Sequence, residues 1–130
     1  MICISIPEKH RGKAISIANM AEMAEIRIDM AGFSAKDVAF VFSKSESKLI
    51  ATCRPDMVSD EQRIGLLKIA IENGAAYVDI EIDASNEVKE EIIPFAQSYN
   101  CQIIISYHNY ESTPSIKELE ALIKQGFEEK

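Results

Sequence analysis

Residues 103–111 read Ile-Ile-Ile-Ser-Tyr-His-Asn-Tyr-Glu, and this stretch decides how the rest of the chain is interpreted. Three consecutive β-branched residues predict a buried strand. The polar residues behind them, followed by Thr113-Pro114, predict a loop that opens a helix. His108 is therefore expected where a strand ends. In proteins that alternate strands with helices, this edge of the sheet is where ligands bind.

The composition is that of an ordinary folded domain. Of the 130 residues, 47% are hydrophobic and 27% are charged, which excludes a disordered chain. No apolar run is long enough for a membrane helix, and the first residues are too short and uncharged for a signal peptide. The net charge of −7 is spread without a basic stripe, so no nucleic-acid partner is expected. We expect one cytoplasmic domain over residues 1–130.

Short apolar runs alternate with helical segments five times. We predict strands near 2–6, 25–29, 49–53, 77–82 and 101–107, and helices near 8–23, 34–45, 59–73, 86–99 and 115–128. Ser34 and Ser59 are suited to be helix N-caps, and Asn73-Gly74 indicates a helix end. Five successive βα units imply an α/β fold with parallel strands packed under their helices.

The strand patterns distinguish an open sheet from part of a barrel. Strands of a parallel sheet that is covered on both faces are almost continuously hydrophobic, whereas these strands alternate. In strand two, Ile26 and Ile28 share one face, and Glu25, Arg27 and Asp29 share the other. Helices need an apolar surface to pack on, so the polar faces should point into a common interior. We therefore predict a truncated (βα)8 TIM barrel of about five βα units.

Two residues at the strand ends are the leading candidates for function. His108 lies on the polar face after strand five and could exchange a proton near neutral pH. Arg54, at the same end of strand three, could bind a carboxylate through two parallel hydrogen bonds, or form a salt bridge at the rim. Buried charges are costly without partners, so the polar faces indicate a chamber for a polar or anionic small molecule.

The remaining charged residues of the strands allow two interpretations. Glu25 and Arg27 could bind hydroxyls or position a ketone, or they could form an ion pair with each other. Asp79, Glu81 and Asp83 share one face of strand four, but no histidine stands at ligand spacing. We predict that these acids support a network around Arg27, without a metal. No glycine-rich phosphate loop is present, so no cofactor is expected.

Four segments together resemble a known family. They are residues 24–29 (Ala-Glu-Ile-Arg-Ile-Asp), 51–55 (Ala-Thr-Cys-Arg-Pro), 74–81 (Gly-Ala-Ala-Tyr-Val-Asp-Ile-Glu) and 105–109 (Ile-Ser-Tyr-His-Asn) with Thr113-Pro114. Each is weak alone, but the four in register resemble the type I 3-dehydroquinate dehydratases of the shikimate pathway, which leads to the aromatic amino acids. The resemblance covers essentially the whole chain.

The resemblance implies a (βα)8 barrel lyase that dehydrates 3-dehydroquinate to 3-dehydroshikimate. In that family a lysine forms a Schiff base with the ketone, and the iminium draws electrons from the neighbouring carbon so that its proton can leave. It further implies that His108 moves protons and that Glu25, Arg27 and Arg54 contact the substrate. Ser5 corresponds to a polar residue that lines the same pocket.

The loop after strand three departs from the family pattern. The family commonly carries Glu-Gly-Gly after the strand-three arginine, and its glutamate partners the catalytic histidine. Here Arg54 is followed by Pro-Asp-Met-Val-Ser-Asp-Glu. Glu61 or Glu81 is then the expected partner of His108.

The number of units is the second departure. A barrel of this type usually needs about 250 residues, and this chain carries five-eighths of the units. No lysine matches the Schiff-base position, since Lys48 begins strand three at the wrong end and Lys124 and Lys130 lie in the last helix. A surface lysine with an ordinary pKa of about 10.4 is a poor nucleophile. We therefore expect no turnover by the chain alone.

Unpaired edge strands imply self-association. Strands one and five lack a second neighbour, and exposed edges recruit other chains, so a homodimer or segment-exchanged oligomer is expected. Three readings remain open: an N-terminal part of the enzyme, a non-catalytic binding module that keeps the substrate pocket, and an unrelated α/β fold that matches by chance.

Overall fold

Five parallel strands form one sheet in sequence order. The computed structural model describes residues 2–128. Its strands are β1 (Cys3–Ile6), β2 (Met23–Arg27), β3 (Lys48–Thr52), β4 (Tyr77–Glu81) and β5 (Gln102–Ser106). Each strand pairs in parallel with the next, in the order β1-β2-β3-β4-β5. A barrel adds its strands in this way, whereas a doubly wound sheet reverses its order.

Six helices connect or follow the strands. They are α1 (Arg11–Ala18), α2 (Ile28–Ala31), α3 (Ala35–Lys44), α4 (Asp60–Glu72), α5 (Asn86–Ser98) and α6 (Ile116–Glu128). Ser34 and Ser59 cap α3 and α4 as predicted, and each forms a capping box with the residue three positions on. None of these helices combines the length and the hydropathy that a bilayer crossing requires.

The first βα unit differs most from its prediction. The helix predicted over 8–23 is only α1, and exposed His10 is its N-cap, with Nδ1 accepting from the Lys13 amide at 3.3 Å. Strand β2 begins at Met23, because Met23 pairs with β1 and β3 on both sides. It ends at Arg27, since the following residues form the single turn α2, which Gly32 terminates at φ 65°.

The two faces of the sheet are segregated as predicted. The face toward the helices is apolar and fully buried, and it shares one core with α3, α4 and α5; its strand residues include Ile26, Leu49, Ala51, Val78 and Ile80. The opposite face carries the polar side chains of the alternating pattern. The core therefore lies between sheet and helices, and the polar face is left for other contacts.

Packing is weakest around β5 and α6. None of the residues described in α6 is buried, and Ile116, Ile123 and Phe127 are 76%, 61% and 73% exposed. A cleft of about 290 Å³ separates α6 from β5, lined in part by Ile105 and Leu122. Of the two lysines predicted in the last helix, Lys124 lies in α6 and Lys130 lies outside the described residues.

Candidate active site

Polar side chains converge where the strands end. Glu25 and Arg27 close β2, Glu81 closes β4, and Arg54 and His108 follow two residues after β3 and β5. Because all five strands are parallel, these positions meet at one edge of the sheet. The structure therefore brings the sequence-predicted residues to the same end of the fold.

The Glu25 carboxylate is held by the strands on either side of it. Ser5 Oγ donates to Oε2 at 2.5 Å, and Thr52 Oγ1 donates to Oε1 at 2.8 Å. The register explains this, because Ser5 pairs with Glu25 and Thr52 lies on the adjacent strand. An ionised carboxylate accepts about four hydrogen bonds, so Glu25 keeps acceptor capacity for a ligand.

Arg27 pairs with Asp29, so the suggested ion pair between Arg27 and Glu25 is wrong. Its Nε donates to Asp29 Oδ1 at 3.1 Å and its Nη2 to Oδ2 at 2.6 Å. The cause is α2, because the helical turn brings the buried Asp29 back beside Arg27 instead of continuing the strand. The two-pronged contact fixes the guanidinium in one orientation.

Arg54 contacts His108 directly. The distance between Arg54 Nη2 and His108 Nε2 is 2.7 Å. A guanidinium has only donors, so Nε2 is the acceptor and the neutral imidazole carries its proton on Nδ1. Arg54 Nη1 also donates to the Tyr110 hydroxyl at 3.0 Å. The Tyr110 ring stacks on His108, with centroids 6.1 Å apart and planes 10° apart.

The surroundings of His108 favour its neutral form. Burial lowers the pKa of the imidazole, the Arg54 charge lowers it further, and Glu81 and Glu25 oppose these effects. Within residues 2–128, neither Glu61 nor Glu81 makes a hydrogen bond to this ring, although both were expected as candidates. Burial first, and the cationic partner second, lower the pKa of His108 and favour the uncharged imidazole.

Glu81 is bound by a residue that sequence reasoning missed. Arg63, only 1% exposed, donates from Nη2 to Glu81 Oε2 at 2.5 Å. Its Nε donates to the Cys53 carbonyl at 2.7 Å, and its Nη1 to Asp60 Oδ1 at 3.2 Å. Asp60 in turn accepts from Ser85 Oγ at 2.6 Å. One guanidinium therefore links β3, β4 and the first turn of α4.

The other Glu81 oxygen faces Arg54. Arg54 Nε lies 3.9 Å from Glu81 Oε1, an ion pair without a hydrogen bond, and both atoms are buried and unpartnered among the described residues. The salt bridge that the sequence allowed for Arg54 is thus present, with Glu81 as its partner. The predicted network around Arg27 is wrong for Glu81, because Arg27 is bound to Asp29 and the cations that pair with Glu81 are Arg54 and Arg63.

Among the described residues, Asp79 is buried and forms no ion pair. It is 6% exposed, and burial, with smaller effects of the Glu81 and Glu25 charges, raises the pKa of its carboxyl to about 6, although Ser106 and Arg54 act in the opposite direction. The Ser106 hydroxyl lies near enough to act on Asp79, yet neither its Oγ nor Asp79 Oδ2 completes a hydrogen bond. Asp83 is exposed and stands apart. Within residues 2–128, no group of three His, Cys, Asp or Glu side chains is arranged to hold a metal ion.

A sequence signal existed for one of the missed residues. The buried residues of α4 are Arg63, Leu67, Ala70 and Ile71, which follow the i, i+4, i+7, i+8 spacing of one helix face. This spacing places Arg63 on the inner side of α4. For Tyr110 there is no comparable signal, because its contacts depend on how the loop after β5 folds back.

The raised pKa of Asp79 predicts a pH-dependent stability change in Asp79→Asn. The folded state keeps the Asp79 proton up to about pH 6, whereas the unfolded chain loses it near pH 4. Between these values the unfolded chain binds fewer protons than the folded state, so the free energy of unfolding falls as the pH rises. Urea denaturation of Asp79→Asn should show a gain on the order of 1–3 kcal/mol at pH 7.5 and much less at pH 4.

Asp83→Asn serves as the matched control, since Asp83 is exposed, and it should change stability little at either pH. A clear loss of stability in Asp79→Asn at pH 7.5 would mean that the ionised carboxylate is favourable in the folded protein.

Known proteins match this chain over nearly its whole length. A family profile described as type I 3-dehydroquinase matches residues 2–128. The 3-dehydroquinate dehydratase of Methanococcus maripaludis strain C7 is 35% identical over 137 residues, which cover 96% of this chain and 61% of the relative. The 3-dehydroquinate dehydratase of Methanocaldococcus jannaschii is 34% identical over 97% of this chain and 61% of the relative. The chain thus spans about three-fifths of the length of these curated relatives.

Solved structures agree on the fold. The type I 3-dehydroquinate dehydratase of Clostridium difficile superposes with a TM-score of 0.81 at 23% identity, over 95% of this chain and 58% of that one. The 3-dehydroquinate dehydratase of Enterococcus faecalis also gives 0.81, at 21% identity, over 98% of this chain and 61% of that one. The predicted five βα units of a TIM barrel are confirmed. With its parallel barrel strands, and with the profile match from residue 2 to residue 128, the chain belongs to the type I 3-dehydroquinase family.

Proposed function

We propose that these residues form the substrate-binding and proton-transfer part of a 3-dehydroquinate dehydratase, a cytoplasmic lyase that removes water from 3-dehydroquinate to give 3-dehydroshikimate. One observation carries the proposal: Arg54 Nη2 lies 2.7 Å from an unprotonated His108 Nε2, at the edge of the sheet where Glu25 and Arg27 also end. The Arg54 guanidinium can bind an anionic group of the substrate through two hydrogen bonds, and the neutral His108 beside it can accept the proton that the substrate loses.

Different residues would bind different polar groups of the substrate. Arg54 gives its outer nitrogens to two neutral acceptors, His108 and Tyr110. A substrate oxygen that carries negative charge makes a stronger hydrogen bond and would replace them. Glu25 offers the acceptor capacity that Ser5 and Thr52 leave free, and this suits a ring hydroxyl.

Binding and proton transfer are coupled through Arg54. As long as Arg54 donates to Nε2, the lone pair that would accept a proton is occupied. A ligand that draws Arg54 away leaves Nε2 free, and burial still lowers the pKa of the imidazole. His108 would then be the catalytic base. Asp79 and Glu81, on β4, would not contact the substrate and would support the charged residues that do.

The Schiff-base amine comes from outside these residues in this proposal. The five strands within residues 2–128 contain a single lysine, Lys48, and it is the first residue of β3, at the opposite end from Arg54. The chain covers about three-fifths of its relatives, and the amine would lie in the remainder of the family's length. Without it, the ketone cannot form the iminium that makes its neighbouring carbon acidic.

A non-catalytic binding module is the second candidate. The same lysine distribution favours it, because a polar face with a fixed carboxylate and two guanidiniums can recognise a hydroxylated acid without converting it. The two candidates differ in whether the face also forms a covalent adduct once an amine is supplied by the remaining part of a barrel.

Self-association is part of the proposal. Strands β1 and β5 each have one neighbour in the described sheet, and α6 leaves three large apolar side chains exposed beside the open β5 edge. Unpaired strand edges and apolar patches are covered by other chains. A homodimer or a segment-exchanged oligomer would cover both.

Borohydride reduction tests the catalytic assignment. The chain is incubated with 3-dehydroquinate and reduced, and intact-mass spectrometry should detect no covalent adduct, because the described strands bring no lysine to the edge where Arg54 and His108 lie. The full-length 3-dehydroquinate dehydratase of M. jannaschii, treated in parallel, serves as the positive control. A stoichiometric adduct on the chain would show that one of its own lysines acts as the nucleophile.

Substitution of Arg54 tests the binding assignment. In Arg54→Met the His108 pKa should rise toward the ordinary histidine value of about 6.5, because the neighbouring positive charge is gone. Binding of 3-dehydroquinate should weaken on the order of 10-fold or more, the cost of a lost hydrogen bond to a charged group. NMR of ¹³C-labelled histidine measures both.

Arg11→Met is the matched control for Arg54→Met, since Arg11 pairs with Asp37 outside the polar face. It should leave the His108 pKa and the affinity unchanged. Unaltered affinity in Arg54→Met would remove Arg54 from the substrate contacts.

Charge placed on α6 tests self-association. Ile123→Lys puts a cation into the exposed apolar surface beside β5, so it should shift the population from dimer or larger toward monomer in light scattering at fixed concentration. Met57→Lys alters an equally exposed apolar residue, 72% exposed, in the loop after β3, and should leave the mass unchanged. A monomer in the parent chain would contradict the proposal.

A further inference from the structure

Arg63 is the largest fully buried side chain of the described residues, and all its nitrogens are engaged. Its three partners are Glu81, the Cys53 carbonyl and Asp60. A buried guanidinium persists only when its donors are matched in this way. The position of its end group is therefore fixed by β3, β4 and the first turn of α4 together.

Arg63 also fixes the direction of Glu81. It binds Oε2 at 2.5 Å, and a carboxylate is planar, so holding one oxygen determines where the other one points. The second oxygen, Oε1, is buried, lacks a hydrogen bond and faces Arg54 Nε at 3.9 Å. Arg54 Nε is likewise buried and unpartnered. These two atoms are too far apart for a hydrogen bond, while the other oxygen of the same carboxylate is bound by Arg63.

Arg54 transmits this constraint to the imidazole. With Nε left short of Glu81, its other two nitrogens reach His108 Nε2 at 2.7 Å and the Tyr110 hydroxyl at 3.0 Å. If Glu81 were free to turn, its carboxylate would take Arg54 in a two-pronged pair, the stronger interaction. The guanidinium would then rotate away from His108.

We propose that Arg63 is a positioning residue for His108: by holding Glu81 back, it keeps Arg54 hydrogen-bonded to the imidazole. The value of this arrangement for catalysis rests on the proposed function, but the coupling itself does not. It gives the site a defined resting state in which the base is oriented and shielded until a ligand competes for Arg54.

The groups around His108 allow the effect to be isolated. The charges that act on it are Arg54 after β3, Glu81 on β4 and Glu25 and Arg27 on β2, and Tyr110 stacks on its ring. Arg63 contacts Glu81 and not the imidazole. An effect of Arg63 on His108 is therefore indirect, and its contacts offer two routes, the Glu81 carboxylate and the Cys53 carbonyl next to Arg54.

A double-mutant cycle on the His108 pKa tests the proposal. In Arg63→Met the His108 pKa should rise on the order of 0.5 pH unit, because Arg54 leaves the imidazole for Glu81. In Glu81→Gln it should fall, because a negative charge that raises it is lost. In the Glu81→Gln background, Arg63→Met should have almost no effect. Arg11→Met, which removes an arginine from a remote ion pair, is the control and should leave the pKa unchanged.

Folding is checked for each variant from its amide NMR spectrum. If Arg63→Met does not fold, Arg63→Lys carries the test, since an ammonium group lacks the rigid fork of the guanidinium and fixes the Glu81 carboxylate less firmly, so a smaller rise is expected. An unchanged or lowered pKa in a folded Arg63 variant overturns the proposal. So does an equal shift with and without Glu81, or failure of both variants to fold, which would assign Arg63 a purely structural role.

These titrations contain no substrate. Loss of 3-dehydroquinate binding or an unexpected borohydride adduct would therefore bear on the proposed function alone, and an absent coupling would bear on Arg63 alone.

Discussion

The buried contact between Arg63 and Glu81 is the interaction on which the polar edge of this sheet depends. Removing one partner of a buried ion pair costs about 3–5 kcal/mol, because the other is left charged and unpaired. Arg63 also holds the Cys53 carbonyl, at the point where β3 turns toward Arg54. The same guanidinium therefore stabilises the ends of two strands and the start of α4.

From this contact, charges of alternating sign extend toward the opening: Arg63, Glu81 and Arg54, with the neutral His108 at the end. Such an order limits the cost of gathering charged groups on one face, since each has an opposite neighbour. It also leaves a base that is uncharged at neutral pH, because burial and a cation both disfavour its protonation. A carboxylate paired with the histidine would instead raise its pKa and favour the protonated imidazole.

Glu25, Arg27 and Arg54 are immobilised in different ways, and this matters for recognition. Glu25 is held from two neighbouring strands, and Arg27 is held by a turn of helix, so both are fixed before a ligand arrives. Arg54 makes contacts that a charged ligand can replace. Groups that are already fixed lower the entropy cost of ordering side chains on binding. Arg54, in contrast, can leave His108 when a charged ligand binds.

The alternation of polar and apolar residues was sufficient to predict parallel βα units with helices on one face of the sheet and polar side chains on the other, because each helix must bury an apolar surface and side chains change sides at every strand residue. Ser34, Ser59 and the strand-end positions of Arg54 and His108 could likewise be predicted, since caps and strand ends are local features. The pairing of the charges could not. Arg27 binds Asp29 because α2 turns the chain back toward it. Glu81 binds Arg63 because α4 packs beside β3 and β4. Sequence alone determined which face would be charged, and only the tertiary structure decided which charges meet, because partner choice depends on distances between elements that are far apart in the chain.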